Sequence, residues 1–471
     1  MQLNIKISNL GKAKEAHLKL KPFTVIAGAN SSGKSFVSRA LYSFFSTMNQ
    51  DHVTQNARKS VFHAKATMRS ASYVLDTPSM AISHMHSQLT YEVEHLDSLI
   101  NKIYGESSFT EQFSKNLVIL EKLNSIELLR RELIQEASGK KKYKRYSDRI
   151  SFLAQSLKNI RITIENPEKL FANSLRDSLD NSLKENFQVT NLSDLRTFGI
   201  DSDTIQLDFG ETGTLNIKNE TIDINFDVDG INEFQSLHNV VFIESPIYWK
   251  LRKPLKNAME YSHIFSRAIR RSQSSDSLTG VPKYFYDLIE LVEQNIKSSE
   301  DSQENHALYK NINEIIGGEL DLSESGDIFF KDHNGGPVNI NLTATGVTNL
   351  GLIALLLKRN VIAKGSYVFV DEPEVNLHPA WQKVMIETLY NLSLNGINVV
   401  VASHSIDMMK YIENIMYKLP DSITREHFAI NRLCSNGISC SDDDCHPLQS
   451  LSSIKEDLGN PFFEMMLNNE W

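Results

Sequence analysis

Two short segments of this 471-residue chain carry residue types that suit phosphate chemistry, and they lie far apart. The first is Gly28-Ala29-Asn30-Ser31-Ser32-Gly33-Lys34-Ser35. Glycines at both ends of such a loop let the backbone turn tightly and leave N–H groups pointing inward, where a polyphosphate needs donors. Lys34 supplies a point charge to the outer phosphates, and the Ser35 hydroxyl is placed to ligate magnesium. The second segment is Asp371-Glu372, 336 positions beyond Ser35. Asp371 is expected to hold magnesium directly or through its shell, and Glu372 to act as base for an attacking water. His404 is a third candidate: a neutral imidazole there could hydrogen-bond the terminal phosphate or the water. The chemistry implied is magnesium-dependent binding and hydrolysis of ATP.

These groups work only if strands deliver them to one place. Phe23 to Ala27 is a continuous apolar run before the loop, and Ser35 to Phe45 reads as an amphipathic helix whose N-terminus faces the phosphates. Tyr367 to Val370 is a second buried-strand run, ending in the two acids. Pro379 to Leu394 then has helical spacing and Ile397 to Ala402 is a third strand, ending at Ser403-His404-Ser405. Strand–helix–strand order implies a right-handed parallel crossover, with ligands bound at the carboxyl ends of the strands. The predicted fold class is α/β.

The motifs resemble a known superfamily, the ABC-type head ATPases of the RecF, SMC and OLD (overcoming lysogenization defect) kind. The N-terminal segments Met1–Gly11 and Leu18–Val25 resemble the strand pair that leads into its phosphate loop. Asp371-Glu372-Pro373-Glu374-Val375-Asn376-Leu377-His378-Pro379 is similar to the carboxylate string of the OLD-like branch, and His404 to its switch histidine. The resemblance covers mainly residues 1–50 and 340–410. It implies a P-loop head with a mixed sheet, an antiparallel β lobe and a large helical insertion. It also implies a signature segment, here Leu342 to Val347 opening an apolar helix, whose Thr345 and Gly346 would close over ATP held by another subunit of a homo-oligomer. No Ser-Gly-Gly-Gln string is present, and His378 stands where transporters carry an aspartate. A glutamine loop is not placed.

OLD nucleases add a C-terminal metal-nuclease domain, and the 67 residues after His404 are too few for one. The chain therefore most resembles stand-alone ATPase subunits of bacterial anti-phage systems of the Septu and PARIS kind, which work with a separate nuclease or toxin effector. The expected role is a regulatory or sensor ATPase that controls such an effector through ATP-dependent assembly, with no nuclease activity of its own. Two other uses stay open: a RecF-like DNA-binding clamp for repair or recombination, and a nucleotide-binding scaffold.

Composition bounds the rest. A 41% apolar and 23% charged chain of this length is expected to form two or more lobes. No apolar run approaches the ~20 residues of a membrane span, and no secretory leader is evident. The expected address is cytoplasmic, without a membrane partner. A net charge of −9 opposes a uniformly nucleic-acid-coated surface but allows a local patch. Lys140-Lys141-Lys142-Tyr143-Lys144-Arg145 is one candidate, near the tip of a helical insertion; it reads first as a solvated turn between helices, next as a DNA contact, and thirdly as a partner contact.

The domain boundaries read from sequence are 1–95 and 336–430 for the two parts of the ATPase core, 96–200 for the insertion, 201–250 for an antiparallel β segment rejoining the core, 251–335 for a helical lobe and 431–471 for a tail. Leu117 to Glu136 is a predicted helix ended by Gly139, with Leu117, Leu120, Leu123, Leu128 and Leu129 as its apolar positions. Gln273–Leu278 and Ser298–Asn305 read as polar loops. All three cysteines, Cys434, Cys440 and Cys445, fall in the tail with His446. They fit either a structural zinc ion or a loop of reduced thiols.

Overall fold

The computed structural model describes residues 2–104, 116–138, 140–244, 247–252, 255, 280–293, 302–323, 327–333, 335–439 and 445–468. Gly139, Gln273–Leu278 and Cys440 lie outside them. The strands, in chain order, are β1 (Leu3–Leu10), β2 (Ala13–Leu20), β3 (Phe23–Ala27), β4 (Thr204–Asp208), β5 (Gly213–Lys218), β6 (Thr221–Phe226), β7 (Val240–Ile243), β8 (Gly318–Leu322), β9 (Ile328–Asp332), β10 (Pro337–Asn339), β11 (Tyr367–Asp371), β12 (Asn398–Ser403) and β13 (Phe428–Arg432).

Five of them form a parallel sheet in the order β13-β3-β12-β11-β7. Its strands are short continuous apolar runs because both faces are covered; every residue of β3, β11 and β12 is buried. The helix Lys34–Met48 buries Val37, Leu41, Phe44, Phe45 and Met48, a spacing that keeps one face on the core. Its Tyr42 and Phe45 rings meet Phe242 of β7 and Phe369 of β11 edge-on. The helix Pro379–Leu394 has the boundaries predicted; Pro379 opens it and the His378 side chain accepts from the Ala380 amide at 3.3 Å.

A second sheet is antiparallel, β2-β1-β4-β5-β6, so the 204–226 meander pairs with the N-terminal hairpin. A third, β10-β9-β8, is antiparallel as well. The sequence reading took 251–335 as helical, and β8 and β9 were not expected; their apolar residues Leu320, Ile328 and Phe330 alternate over spans too short for a strong period. Leu320 packs onto the backbone of helix Thr345–Lys358 at Gly351, where a Cβ would lie 2.7 Å from it. The predicted loop at Ser298–Asn305 is corrected in its second half: helix Ser302–Ile316 begins there, with Asn305 buried against the Ile362 carbonyl.

Two compact units result: residues 1–49, 179–227 and 237–471 in one, and 50–178 with 228–236 in the other. The second is a helical bundle. His52–Tyr73 packs on Met80–Tyr104, Lys144–Ser151 and Leu153–Glu165, so helical residues from 50 to 95 that the sequence reading grouped with the core pack among themselves. Helix Asn116–Ser138 faces the bundle through Ile119, Leu123, Ile126, Leu133 and Ala137. Leu117 and Leu128, read as part of the apolar stripe, are exposed. The basic run is the start of a helix, anchored by a buried Tyr143 whose hydroxyl meets the Ser79 amide and the Thr77 carbonyl. Among the described residues no helix is long and apolar enough to cross a membrane.

Candidate nucleotide site

Register sets the site. Ala27 of β3 is level with Ser403 of β12, and Asp371 of β11 with Ala402. Three strands thus end together, and the residues that follow them, Gly28, Glu372 and His404, emerge at one edge of the sheet. This is the edge at which open parallel sheets bind ligands.

The loop after β3 is bent by two left-handed residues, Ser31 (φ 62°) and Gly33 (φ 100°), the second a conformation that favours glycine. Gly28 is constrained differently: a Cβ there would fall 2.3 Å from the Leu433 carbonyl oxygen and 2.7 Å from Ser32 Oγ. Ser32 Oγ is buried with no hydrogen-bond partner among the described residues. Lys34 Nζ is buried inside the loop and donates to the carbonyls of Gly28 and Ala29, both at 2.9 Å. Burial lowers its pKa, while Glu372, Asp371 and Glu374 pull it back up.

Ser35 Oγ donates to Asp371 Oδ1 at 3.1 Å. Asp371 is 5% exposed, and burial pushes its pKa up to about 7; the Ser35 bond opposes this and the Glu244 charge adds to it. A buried carboxylate beside a hydroxyl at a phosphate loop is a hard-oxygen set that fits a magnesium ion. The loop's buried lysine fits a triphosphate in the same way.

Glu372 follows with φ 49°, a left-handed conformation unusual for glutamate, held by its amide donating to Ala402 O at 2.9 Å. Its side chain is 40% exposed and its Oε1 lies 3.4 Å from His404 Nδ1. Glu374 is buried, with its Oε1 3.5 Å from the same Nδ1, and that oxygen accepts from Ser403 Oγ (2.8 Å) and the His404 amide (3.1 Å). A half-exposed carboxylate and a buried one thus flank a single imidazole nitrogen, a cluster able to take a proton from water.

A cavity of about 770 Å³ joins these groups, lined by Asn30, Ser31, Gly33, Lys34, Ser35, Glu372 and His404 together with residues of the β1–β2 turn. Thr345 and Gly346 are not among its lining residues; they sit at the N-terminus of helix Thr345–Lys358, with Gly346 against Leu377 and Trp381.

Two acids escaped the sequence reading. Glu244 follows β7 abreast of Asp371 and pairs with Arg39 at 2.6 Å, while Tyr284 donates to its other oxygen. Glu374 was quoted only as part of a motif. The signal for Glu244 was present: Val240–Ile243 is an apolar strand ending in an acid, the same pattern as Tyr367–Asp371.

The tail residues do not assemble a zinc site among the described residues, which hold no metal-ligating group of three or more. Cys434 is disulfide-bonded, so it offers no thiolate. His446 Nδ1 accepts from the Leu448 amide at 3.2 Å, and its Nε2 lies 3.0 Å from an Asp421 oxygen.

A family model, AAA_15, described as an AAA ATPase domain, matches residues 1–409. Solved structures that align with the chain include an SMC head bound to the C-winged helix domain of ScpA, at 12% identity and TM-score 0.37, covering 93% of this chain and 95% of that one. The SMC head domain from Thermotoga maritima aligns at 10% identity and TM-score 0.33 over 87% and 91% of the two chains. CbiO1 from Clostridium perfringens, part of an ABC transporter complex, aligns at 15% identity and TM-score 0.24 over 54% and 78%. No curated protein matches by sequence.

Proposed function

Because the chain belongs to the AAA_15 family of AAA ATPase domains, we propose that it binds ATP with magnesium at the sheet edge and hydrolyses it with Glu372 as base. The observation that carries this reading is the convergence of Lys34, Ser35, Glu372 and His404 on one cavity, with Asp371 hydrogen-bonded to Ser35. Lys34 and the loop amides hold the phosphates. Ser35 and Asp371 would hold magnesium, which would supply positive charge at the phosphates. Glu372 takes the proton of the attacking water, and His404, oriented by Glu374, positions that water or the terminal phosphate.

Nucleotide affinity and steady-state turnover of two variants test this. Lys34→Ala removes the phosphate contact and should weaken ATP binding; Glu372→Gln keeps shape and loses the base, so it should retain ATP and slow turnover by at least ~100-fold. Unchanged turnover in Glu372→Gln removes it from the role of base.

The reading extends to a homo-oligomer in which Thr345 and Gly346 complete a neighbour's site. Thr345→Asp is the better probe, since any side chain at Gly346 would crowd Leu377 and Trp381 at 3.3 Å. Mixed oligomers of Lys34→Ala and Thr345→Asp subunits should regain part of the lost turnover; none regained places each site within one chain.

The final part of the proposal, that ATP-driven assembly controls a separate nuclease or toxin in an anti-phage complex, rests on the motif resemblance. Purification of the native complex from its source cell, with nuclease assays on subunit and complex, tests it. A partner set of replication or repair proteins favours the DNA-clamp alternative.

A further inference from the structure

Phe198 is fully exposed, more so than any other large apolar side chain among the described residues. The chain on its N-terminal side is fixed. Leu195 O accepts from the Gly11 amide at 2.7 Å, and Arg196 bridges to Leu10. The buried Thr197 donates its amide to Asn9 and its hydroxyl to Ala13 O at 3.2 Å. Gly199 then turns the backbone away at φ 78°. Phe198 is thus held out on a tethered backbone, with its hydrophobic area uncompensated by burial.

That side chain lines the same cavity as Lys34, Ser35, Glu372 and His404. The lining is mostly polar, with Lys12, Lys14 and Lys34, and holds two aromatic rings. Lysine, hydroxyl and backbone amides suit phosphates, whereas Phe198 and Phe36, beside Gly11, offer flat apolar surface. Phe36 is committed elsewhere: its ring packs on Phe187 with centroids 4.5 Å apart, and it closes the space over Gly11. What a nucleotide still exposes once its phosphates are held is a flat aromatic base. At about 770 Å³ the cavity has the size of a small-molecule site.

We propose that Phe198 stacks on the nucleobase and supplies the part of the affinity that distinguishes a nucleotide from a bare polyphosphate. The inference rests on the nucleotide reading of this site. Stacking uses the π-face that every base has, so Phe198 favours nucleotides over polyphosphate without selecting adenine over guanine.

The test measures binding of ATP, GTP and tripolyphosphate, each with magnesium, to the full chain and to Phe198→Ala and Phe198→Trp. Phe198→Ala should weaken ATP and GTP alike by roughly tenfold, the equivalent of ~1.4 kcal/mol, and leave tripolyphosphate unchanged. Phe198→Trp should restore ATP affinity, with indole fluorescence that responds to ATP and not to tripolyphosphate. Equal losses for all three ligands, or no loss for any, would overturn the stacking while leaving the nucleotide site in place. Failure of the unaltered chain to bind ATP or tripolyphosphate would overturn the nucleotide reading and this inference together.

Discussion

The Ser35 hydroxyl donates to the Asp371 carboxylate at 3.1 Å across 336 positions of chain. This contact joins the phosphate loop to the acid strand, although β12 lies between β3 and β11. It places side by side two oxygens that would hold the magnesium ion of the proposed nucleotide site. Ser35→Ala and Asp371→Asn should each weaken magnesium-dependent ATP binding by roughly 10–100-fold. The double variant should lose less than the product of the two, because both remove one metal set. Calorimetric titration with and without magnesium measures this; strictly multiplicative losses would separate the two residues.

Glu374 should act through His404. Its buried Oε1 accepts two hydrogen bonds from the Ser403–His404 segment and lies 3.5 Å from the same imidazole nitrogen that Glu372 approaches. Glu374→Gln keeps the size and removes the charge that orients the ring. Turnover should fall by roughly 10-fold or more with ATP affinity nearly unchanged, and His404→Ala in the same background should add little. A loss confined to ATP affinity would instead place Glu374 in binding.

Gly28 and Gly33 should fail for different reasons when changed to alanine. At Gly28 the new methyl would meet a backbone carbonyl at 2.3 Å, so the β13 side must shift; a loss of ~1–3 kcal/mol is expected in urea unfolding. At Gly33 the nearest outside atoms are 3.5 Å away, and the cost is the left-handed φ of 100°, about 1–2 kcal/mol. Added ATP should rescue Gly33→Ala more than Gly28→Ala. Equal rescue would contradict the two origins.

His427 gives a pH dependence with a definite sign. Its ring packs edge-on to Tyr390 and Phe428 and its Nε2 lies 2.8 Å from Ser393 Oγ; burial lowers its pKa below the ordinary 6.5. Above pH 6.5 the ring is neutral folded and unfolded, and contributes no slope. Below it the unfolded chain takes up the proton first, so stability should fall as pH drops from 6.5 towards the folded-state pKa. His427→Gln should flatten the difference in melting temperature between pH 7.5 and 5.5. An identical slope in parent and variant would assign the effect to other histidines.

Much of the site was legible in the sequence because its signals are local. A phosphate loop needs glycines, a lysine and a hydroxyl at fixed spacing, and buried parallel strands show as apolar runs; Gly28 to Ser35, Asp371, Glu372 and His404 are readable on those grounds alone. The same holds for helix Pro379–Leu394, opened by a proline and closed by loss of its apolar period. Pairing is not local. That β12 separates β3 from β11, that β4 joins β1, and that Glu244 stands abreast of Asp371 depend on register between strands remote in sequence. So does the place of Phe198: one exposed aromatic among many polar loop residues carries no periodic signal. Only the ties from Asn9, Gly11 and Ala13 to Leu195 and Thr197 bring it to the phosphate cavity. Sequence determined which groups could serve a nucleotide; strand order and register, set by which apolar faces can be buried together, decided which of them share one cavity.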